Sequence, residues 1–495
     1  MTAGLDPASG SAGPTHVLDL PTAGGKIIRG SVLRAAAYGA TVLLGIVSAA
    51  LMTRHLGVVA FGQYVTVVSI VTVAMAASDV GMSNIGVREY SVREGEERDR
   101  LMENLLGLRL ALGAFAAAIA LIFTAAAGYP GVMVAGTALA ALAYILITVQ
   151  QTIAVPLSAG LRLGWVAALD VIRQVGLVVA VVVLVVVGAG LLPFLGAPIP
   201  IAVGLLVLTA WVVRGSIPFT PSFQPRAWGR LLRLVLPYAA ASAVGGVYVS
   251  LVVILTSLVA TEQETGYFGA SFRIFSVLSA IPGLLVVSAF PVLARAARDD
   301  RLRLKYALQR LWDIALLLGA GAAVLTVVGA PVAIDIVAGS DYEPSVSVLR
   351  IQAGALFATF FVSIWSYGLL SLAAYRGLLI ANAIALVLVA ASALLLAPEY
   401  GADGAAVATV IGEGGLALAL GIQLMWSREH LRVDLEILPR VLLASALAAA
   451  VLLVPGLPDG ADLALATAVF VAAAVVLRAV PSEIWAALRR REPGA

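Results

Sequence analysis

The most constraining feature of this sequence is a pair of long stretches without a charged residue. No Asp, Glu, Lys or Arg occurs between Arg109 and Arg162, or between Arg173 and Arg214. The first stretch holds two apolar runs of about 20 residues, the length that a helix needs to cross a hydrocarbon core of about 30 Å. The first pair of runs is broken at Gly128-Tyr-Pro-Gly131. This pattern predicts membrane-spanning helices.

The composition excludes a water-soluble globular enzyme. Hydrophobic residues make up 61% of the chain and charged residues 12%, whereas soluble domains carry about 25% charged residues. Cysteine is absent, and the three histidines do not stand at metal-ligand spacing. No disulfide, metal site or cofactor is therefore predicted. Because the sequence also lacks a phosphate-binding glycine loop and a catalytic arrangement, we expect that the protein is not an enzyme.

Similar apolar runs recur along the chain and predict an all-α integral membrane protein with about fourteen transmembrane helices. The predicted spans lie near residues 32–53, 63–85, 104–126, 131–155, 165–187, 190–212, 234–258, 270–292, 313–334, 346–371, 377–396, 404–426, 439–455 and 462–480.

Charges between the spans predict the orientation. Most of the 31 Lys and Arg residues lie in segments that are cytoplasmic if both termini are cytoplasmic, as the positive-inside rule requires. The opposite connections carry acids such as Glu262, Glu264 and Asp341. We therefore expect a multi-pass protein of the plasma membrane with both termini inside. Since the basic clusters follow from orientation, no nucleic-acid partner is predicted.

A short pattern repeats after about 200 residues. Leu33-Arg34 followed by Gly62-Gln-Tyr64 is matched by Leu232-Arg233 followed by Gly266-Tyr267. Six spans separate the copies, so both begin on the same side of the membrane and form a parallel pseudo-twofold repeat. The expected organisation is a disordered cytoplasmic tail (1–30), an N-lobe of spans one to six (31–230), a C-lobe of spans seven to twelve (231–427), two extra helices (428–480) and a basic cytoplasmic tail (481–495).

One face of the first span carries small and polar residues. Two interpretations of this face are open: a packing seam against a neighbouring helix, or a stripe that lines a cavity, with Tyr38, Thr41 and Ser48 as lining residues. The residues of the face are Ser31, Arg34, Tyr38, Thr41, Gly45, Ser48 and Met52.

Ionisable residues inside spans are costly and are functional hypotheses by default. Arg273 in the eighth span is predicted either to bind an anion or to pair with a buried acid. Glu413 in the twelfth span either pairs with Arg273 or takes part in ion coupling. Asp79, late in the second span, either caps the inner loop or is a second coupling candidate. Arg54, at the outer end of the first span, is either an interfacial residue or a phosphate ligand.

Several motifs resemble the signature of Wzx-type polysaccharide flippases, which belong to the multidrug/oligosaccharidyl-lipid/polysaccharide exporter superfamily. The resemblance extends over about residues 29–480 and is most specific near the amino terminus. The motifs are Arg34…Tyr38-Gly-Ala, Thr53-Arg-His-Leu-Gly57, Phe61-Gly-Gln-Tyr64, Ser78-Asp-Val-Gly-Met82, Val87-Arg-Glu89, Gly266-Tyr-Phe-Gly-Ala270…Arg273, Phe290-Pro-Val-Leu293 and Pro398-Glu-Tyr-Gly-Ala402 leading into Glu413.

The resemblance implies transport of a polyprenyl-pyrophosphate-linked oligosaccharide from the inner to the outer leaflet. By analogy with the related lipid II flippases, arginines of the first, second and eighth helices bind the pyrophosphate, and these positions fall on Arg34, Arg54 and Arg273. The expected partners are this glycan lipid, membrane lipids, and a polysaccharide polymerase or glycosyltransferases of the same pathway. We expect a monomer.

Two alternatives remain open from the sequence. One is a cation-coupled drug exporter of the same superfamily, which usually has about twelve helices and an acid-lined cavity. The other is a membrane glycosyltransferase or ligase of the same pathway, which needs catalytic acids or histidines in a sizeable outer loop.

Overall fold

The structure is a computed structural model that describes residues 23–79, 82–299, 301–426, 434–454 and 458–480. Within these ranges all regular structure is helical. The α-helices are α1 (Ala23–Asp79), α2 (Met82–Val92), α3 (Gly95–Ala126), α4 (Gly131–Ile153), α5 (Val155–Ala159), α6 (Leu163–Val186), α7 (Leu191–Gly196), α8 (Pro198–Val212), α9 (Pro225–Val259), α10 (Glu262–Leu278), α11 (Ala280–Asp299), α12 (Arg301–Val337), α13 (Ser345–Ser371), α14 (Tyr375–Met425), α15 (Leu438–Ala449) and α16 (Asp459–Val476).

Two helices are far longer than a membrane is thick, and each is broken at a glycine. The 57 residues of α1 would measure about 85 Å if straight, at 1.5 Å per residue. Instead, Gly57 has φ 72° and ψ 175°, and Gly401 in α14 has φ 54° and ψ −128°. Glycine adopts a positive φ without the steric cost of a Cβ. Each helix is therefore two spans joined by a sharp bend.

The number of crossings agrees with the sequence prediction. Nine described helices are long and apolar enough to cross a membrane, and two of them contain the bends at Gly57 and Gly401. The bends raise the number to eleven. The helix α9 and the two shorter apolar helices at 438–453 and 460–476 bring it to fourteen. The chain is thus an all-α, multi-pass membrane protein, as predicted.

The internal repeat is visible in two matching turns. Leu161 joins α5 to α6 with φ 53°, and Ala373 joins α13 to α14 with φ 55°. In both turns the residue after the positive-φ position donates its N–H to a carbonyl five residues earlier, Arg162 to Leu157 at 2.8 Å and Ala374 to Leu369 at 2.9 Å. This is the usual helix-ending motif for glycine. The same motif without glycine ends α16, where Arg478 has φ 54°, so the two turns agree with the repeat without being unique to it.

The glycines of the repeated pattern also meet in space. A Cβ on Gly62 would lie 2.7 Å from the Glu262 carbonyl oxygen and 2.8 Å from the Gly266 amide nitrogen. A Cβ on Gly266 would overlap the carbonyl oxygen of Val58. The second arm of α1 and the start of α10 therefore touch backbone to backbone, and only glycine permits this approach.

The last two helices pack on the C-lobe. Both α15 and α16 contact α12 and each other, with the Phe470 ring against Gly321 and the Leu463 side chain against Gly329. Neither helix contributes to the cavity described below. The two helices therefore pack against α12 and do not extend the wall of that cavity.

Candidate functional site

A cavity of about 190 Å³ lies where both arms of α1 meet α6, α7, α9 and α10. Its wall contains residues of both lobes, so it is an inter-lobe cavity. The wall combines apolar side chains, hydroxyl groups and a guanidinium. The hydroxyl-bearing residues are Ser48, Tyr64, Ser69, Thr72, Ser250 and Ser276, and the apolar ones include Met52, Phe61, Val181, Phe194 and Phe272.

Arg273 of α10 supplies the positive charge of this cavity. Its side chain is exposed, and the described residues place no carboxylate within ion-pair distance of its guanidinium. Its backbone carbonyl accepts a hydrogen bond of 2.8 Å from the Ser276 hydroxyl. No acid belongs to the described lining. The cavity therefore carries an uncompensated positive charge within the part of the chain that the structure describes.

The polar face of the first span divides between two roles. Ser48 and Met52 line the cavity, whereas Thr41 does not. Gly45 instead faces α6, where a Cβ would lie 3.7 Å from the Gln174 side chain. Both interpretations of this face thus hold for different residues. Arg34, Tyr38 and Asp79 belong to α1, but their side chains lie outside the described residues.

Arg54 does not reach the cavity. Its Nη2 donates to the carbonyl oxygens of Asp335 at 2.5 Å and Ile336 at 3.1 Å, at the carboxyl end of α12. The neighbouring Thr53 hydroxyl donates to the Val337 carbonyl at 2.6 Å. A cation at the end of a helix, where carbonyls lack partners, is stabilising. The structure thus places Arg54 in a helix cap between the lobes, apart from Arg273.

A second contact joins the lobes on the same side. The Gln63 amide donates to the Glu262 carboxylate at 3.0 Å, next to the contact between Gly62 and Gly266. On the orientation predicted from charge, this side faces outward. We name this set of contacts the outer latch. It consists of the cap formed by Thr53 and Arg54, the Gln63–Glu262 hydrogen bond and the contact between Gly62 and Gly266. These contacts join the two lobes on the side that the charge pattern predicts to be outer.

Glu413 occupies a different, buried site in the C-lobe. It is 3% exposed, and its carboxylate accepts hydrogen bonds from the Tyr248 hydroxyl at 2.5 Å and the Thr359 hydroxyl at 3.2 Å. Of the two alternatives for Glu413, pairing with Arg273 is not observed, since these two hydroxyls are its described partners. Three helices, α9, α13 and α14, supply the cluster. Among the described residues, no group of three or more His, Cys, Asp or Glu could hold a metal ion.

The sequence interpretation missed a buried arginine. Arg109 is 2% exposed, and its Nε donates to the Thr152 hydroxyl at 3.2 Å. Nearby in the same lobe, the Gln150 amide donates to the Thr209 hydroxyl at 2.9 Å. In the sequence, Arg109 marks the start of an uncharged stretch. The signal in the sequence was the set of polar residues at 148, 150 and 152 of the facing span. Buried polar groups need hydrogen-bond partners, so these residues indicated a buried polar group opposite them.

Comparison with known proteins gives a consistent result. The model of the family described as "Polysaccharide biosynthesis protein" matches residues 51–347. No curated protein matches the chain. The fold is similar to a solved structure of the lipid II flippase MurJ in an inward closed conformation, with a TM-score of 0.73 and 15% identity over 90% of this chain and 99% of that chain.

A second similar structure is an inward-facing multidrug resistance MATE family transporter of the MOP superfamily. Its TM-score is 0.65, with 17% identity over 81% of this chain and 98% of that chain. At these identities the likeness establishes the fold alone. The present chain therefore has the MurJ- and MATE-like fold.

Proposed function

We propose that this chain, which belongs to the polysaccharide biosynthesis protein family, moves a polyprenyl-pyrophosphate-linked oligosaccharide from the inner to the outer leaflet of the plasma membrane. Transport proceeds by alternating access of the N-lobe and C-lobe, with both termini in the cytoplasm. The cargo serves the synthesis of cell-surface polysaccharide. Glycosyltransferases of that pathway produce the cargo, and the polymerase uses it.

The observation that carries this proposal is the Arg273 guanidinium in the inter-lobe cavity, without a described acid beside it. A charge at membrane depth is costly, and a bound anion offsets that cost. The guanidinium presents a planar fork of donors that suits phosphate oxygens. The polyprenyl tail would remain in lipid while the anionic linkage passes between the lobes.

The outer latch defines the step that must follow binding. In the closed state, Arg54 and Gln63 hold the C-lobe across the outer side of the cavity. Release to the outer leaflet requires these contacts to break. A ligand shifts such an equilibrium only by its differential affinity for the two states, so the pyrophosphate must interact differently with the closed and open forms, or an ion gradient must supply the difference.

For that coupling we propose Glu413, with Asp79 as a second candidate. Glu413 is held by two hydroxyls in a buried site, and protonation or cation binding there would alter the packing of α9 against α13 and α14. Arg34 remains the second candidate ligand of the pyrophosphate, with Tyr38 beside it on the same helix. Arg54 is assigned to the latch.

A cation-coupled drug exporter is the second candidate function, favoured by the likeness of the fold to a multidrug transporter. Such an exporter needs acids in its cavity to attract cations, whereas the described lining carries Arg273 and no acid. A membrane glycosyltransferase or ligase needs a catalytic outer loop. The described connections at 127–130, 187–190 and 338–344 are too short to form one.

The test measures exchange of a fluorescent polyprenyl-pyrophosphoryl glycan between the leaflets of proteoliposomes. Loss of a hydrogen bond to a charged group is worth about 1.5–3 kcal/mol, so Arg273→Ala should slow exchange by about 10- to 100-fold. The matched control is Arg376→Ala, an exposed arginine at the start of α14, which should exchange at the wild-type rate. Equal rates for Arg273→Ala and Arg376→Ala would contradict the assigned site, and no exchange by the wild-type protein would contradict the transport function.

A further inference from the structure

The hydrogen bonds around Glu413 suit a proton better than a metal ion. The Thr359 hydroxyl lies 3.2 Å from the Glu413 carboxylate and 2.9 Å from the Ala355 carbonyl oxygen, but it has one proton to donate. When Glu413 is ionised, Thr359 donates to the carboxylate. When Glu413 is protonated, the carboxyl group donates to the Thr359 oxygen, which then donates to Ala355. The Tyr248 hydroxyl also donates to the carboxylate, so protons occupy the positions that a metal ion would need.

Protonation of Glu413 changes how firmly α9 is held. A hydrogen bond to an ionised acceptor is about twice as strong as one between neutral groups, so protonation weakens the bond from Tyr248 and loosens α9 from α13 and α14. Glu413 is faced by the titratable Tyr248 from α9 and by the neutral Thr359 from α13, while Arg273 of α10 lies in the inter-lobe cavity.

A polar face leads along α13 from its outer end to Glu413. Ser345, Gln352 and Thr359 stand seven residues apart, so they lie on one side of the helix at intervals of about 10 Å. The Ser345 hydroxyl donates to the Tyr267 carbonyl at 2.9 Å, next to the connection 338–344, which the charge pattern predicts to be outer. The Thr359 hydroxyl ends the face at Glu413. The face thus connects the outer side of the C-lobe with the buried carboxylate.

Gln352, midway along this face, holds an unsatisfied polar atom. It is 0% exposed, and its Oε1 accepts a hydrogen bond of 2.6 Å from the Ser271 hydroxyl of α10. Its Nε2 is buried and has no hydrogen-bond partner within the described residues. Exchanging the two amide atoms would leave the oxygen unpaired instead, so either orientation leaves one polar atom without a protein partner. Because buried polar groups are nearly always paired, with ordered water where the protein supplies no partner, this atom indicates a water site.

A second hydroxyl continues the path from Gln352 toward Glu413. The buried Thr409 of α14 stands one turn before Glu413 on the same helical face. Its hydroxyl donates to the Ala405 carbonyl at 2.9 Å, and its oxygen can still accept a hydrogen bond from water.

We propose that Gln352 holds a water that relays protons from the outer side of the membrane to Glu413. This inference rests on the proposed function and names the coupling ion as a proton. The proton comes from water outside, passes the hydroxyls of Ser345 and Thr409 through bridging waters, and ends on the Glu413 carboxylate. Ionisable residues inside spans mark such proton relays in pumps and transporters. Gln352 does not itself titrate, so it is a positioning residue.

The test measures exchange of the fluorescent polyprenyl-pyrophosphoryl glycan in proteoliposomes sorted for one orientation, with and without a proton gradient that is acidic on the outer side. Gln352→Met removes both amide atoms and keeps an unbranched side chain of similar length, so it should abolish the stimulation by the gradient. Gln352→Asn keeps an amide and should retain stimulation. The matched control is Gln151→Met, at an exposed glutamine of α4, which should be stimulated like the wild type.

A second variant guards against a loss of folding. Thr409→Val replaces a hydroxyl with a methyl group of the same shape and should also lower the stimulation. Melting temperatures of Gln352→Met and Thr409→Val equal to that of Gln151→Met would show that the fold is kept.

The outcomes separate this inference from the proposed function. If Gln352→Met and Thr409→Val are stimulated like the wild type while Glu413→Gln is not, the path is wrong and coupling through Glu413 stands. If wild-type exchange does not respond to the gradient, or responds only when the inner side is acidic, the outer proton path is wrong and transport stands. No exchange by the wild-type protein contradicts the proposed function, and this inference falls with it.

Discussion

Replacing Gly62 with alanine tests the outer latch at its closest contact. The new Cβ would lie 2.7 Å from the Glu262 carbonyl oxygen and 2.8 Å from the Gly266 amide nitrogen. Both neighbours are backbone atoms, so no side-chain rotation can relieve the overlap. The closed state is destabilised, whereas a state in which α1 and α10 have separated is unaffected.

The expected magnitude follows from the overlap. Overpacking a tight contact costs about 1–3 kcal/mol, which shifts a two-state equilibrium by about 5- to 150-fold. The gain in helix propensity from glycine to alanine acts on both states alike and cancels. Gly62→Ala should therefore raise the fraction of molecules whose outer side is open by this factor.

The assay uses the absence of native cysteine. A Thr72→Cys substitution places a single thiol on the cavity wall, and a membrane-impermeant maleimide is added outside intact cells. Labelling should be slow in the parent and faster in Gly62→Ala. The control is Gly204→Ala in α8, where a Cβ meets nothing within 4 Å. If Gly62→Ala is labelled no faster than Gly204→Ala, the latch is not what closes the cavity.

Three further variants test the other assignments. Arg54→Ala removes two hydrogen bonds to the end of α12, so it should also speed maleimide labelling; labelling no faster than in Gly204→Ala would remove Arg54 from the latch. Arg109→Leu removes the hydrogen bond that the buried guanidinium donates to the Thr152 hydroxyl and should cost about 1.5–3 kcal/mol, the value of a hydrogen bond to a charged group, seen as a lower melting temperature of the purified protein; a melting temperature equal to that of Arg376→Ala would refute this. Glu413→Gln keeps a side chain that can bond the hydroxyls of Tyr248 and Thr359 but cannot gain or lose a proton. It should abolish any stimulation of exchange by a proton gradient, and undiminished stimulation would remove Glu413 from coupling.

The helices were predictable because apolar length is a property of the sequence alone. The uncharged stretch after Arg109 predicts two spans. The bends at Gly57 and Gly401 lie between spans that the sequence pattern predicts as separate helices. Hydrophobicity does not tell which side chains meet across the bundle. The partner of Glu413 is Tyr248, 165 positions away, and this pairing depends on how three helices pack.

Only part of the candidate site could be predicted from the sequence, because the sequence does not tell which side chains meet when the helices pack. Arg273 stood out because a charge inside a span is conspicuous, and the structure brings it together with Ser48. Ser69 carries no comparable signal, since a serine in an apolar helix is common and its significance comes from the wall it faces. The resemblance to the flippases suggested that Arg54 is a ligand, but the carbonyls at the end of α12 accept hydrogen bonds from its guanidinium.

The contact between Gly62 and Gly266 carries an evolutionary consequence. A residue that meets its own repeat counterpart forms an isologous contact, the geometry of a symmetric homodimer. In such a dimer, any substitution on the cavity wall would appear twice. Joining the copies in one polypeptide removes that constraint, so one half can carry a guanidinium at position 273, seven residues after Gly266, while the other keeps a small hydroxyl at position 69, seven residues after Gly62. A single polypeptide thereby permits a cavity with unlike walls, while the Gly62–Gly266 contact is the same from both sides.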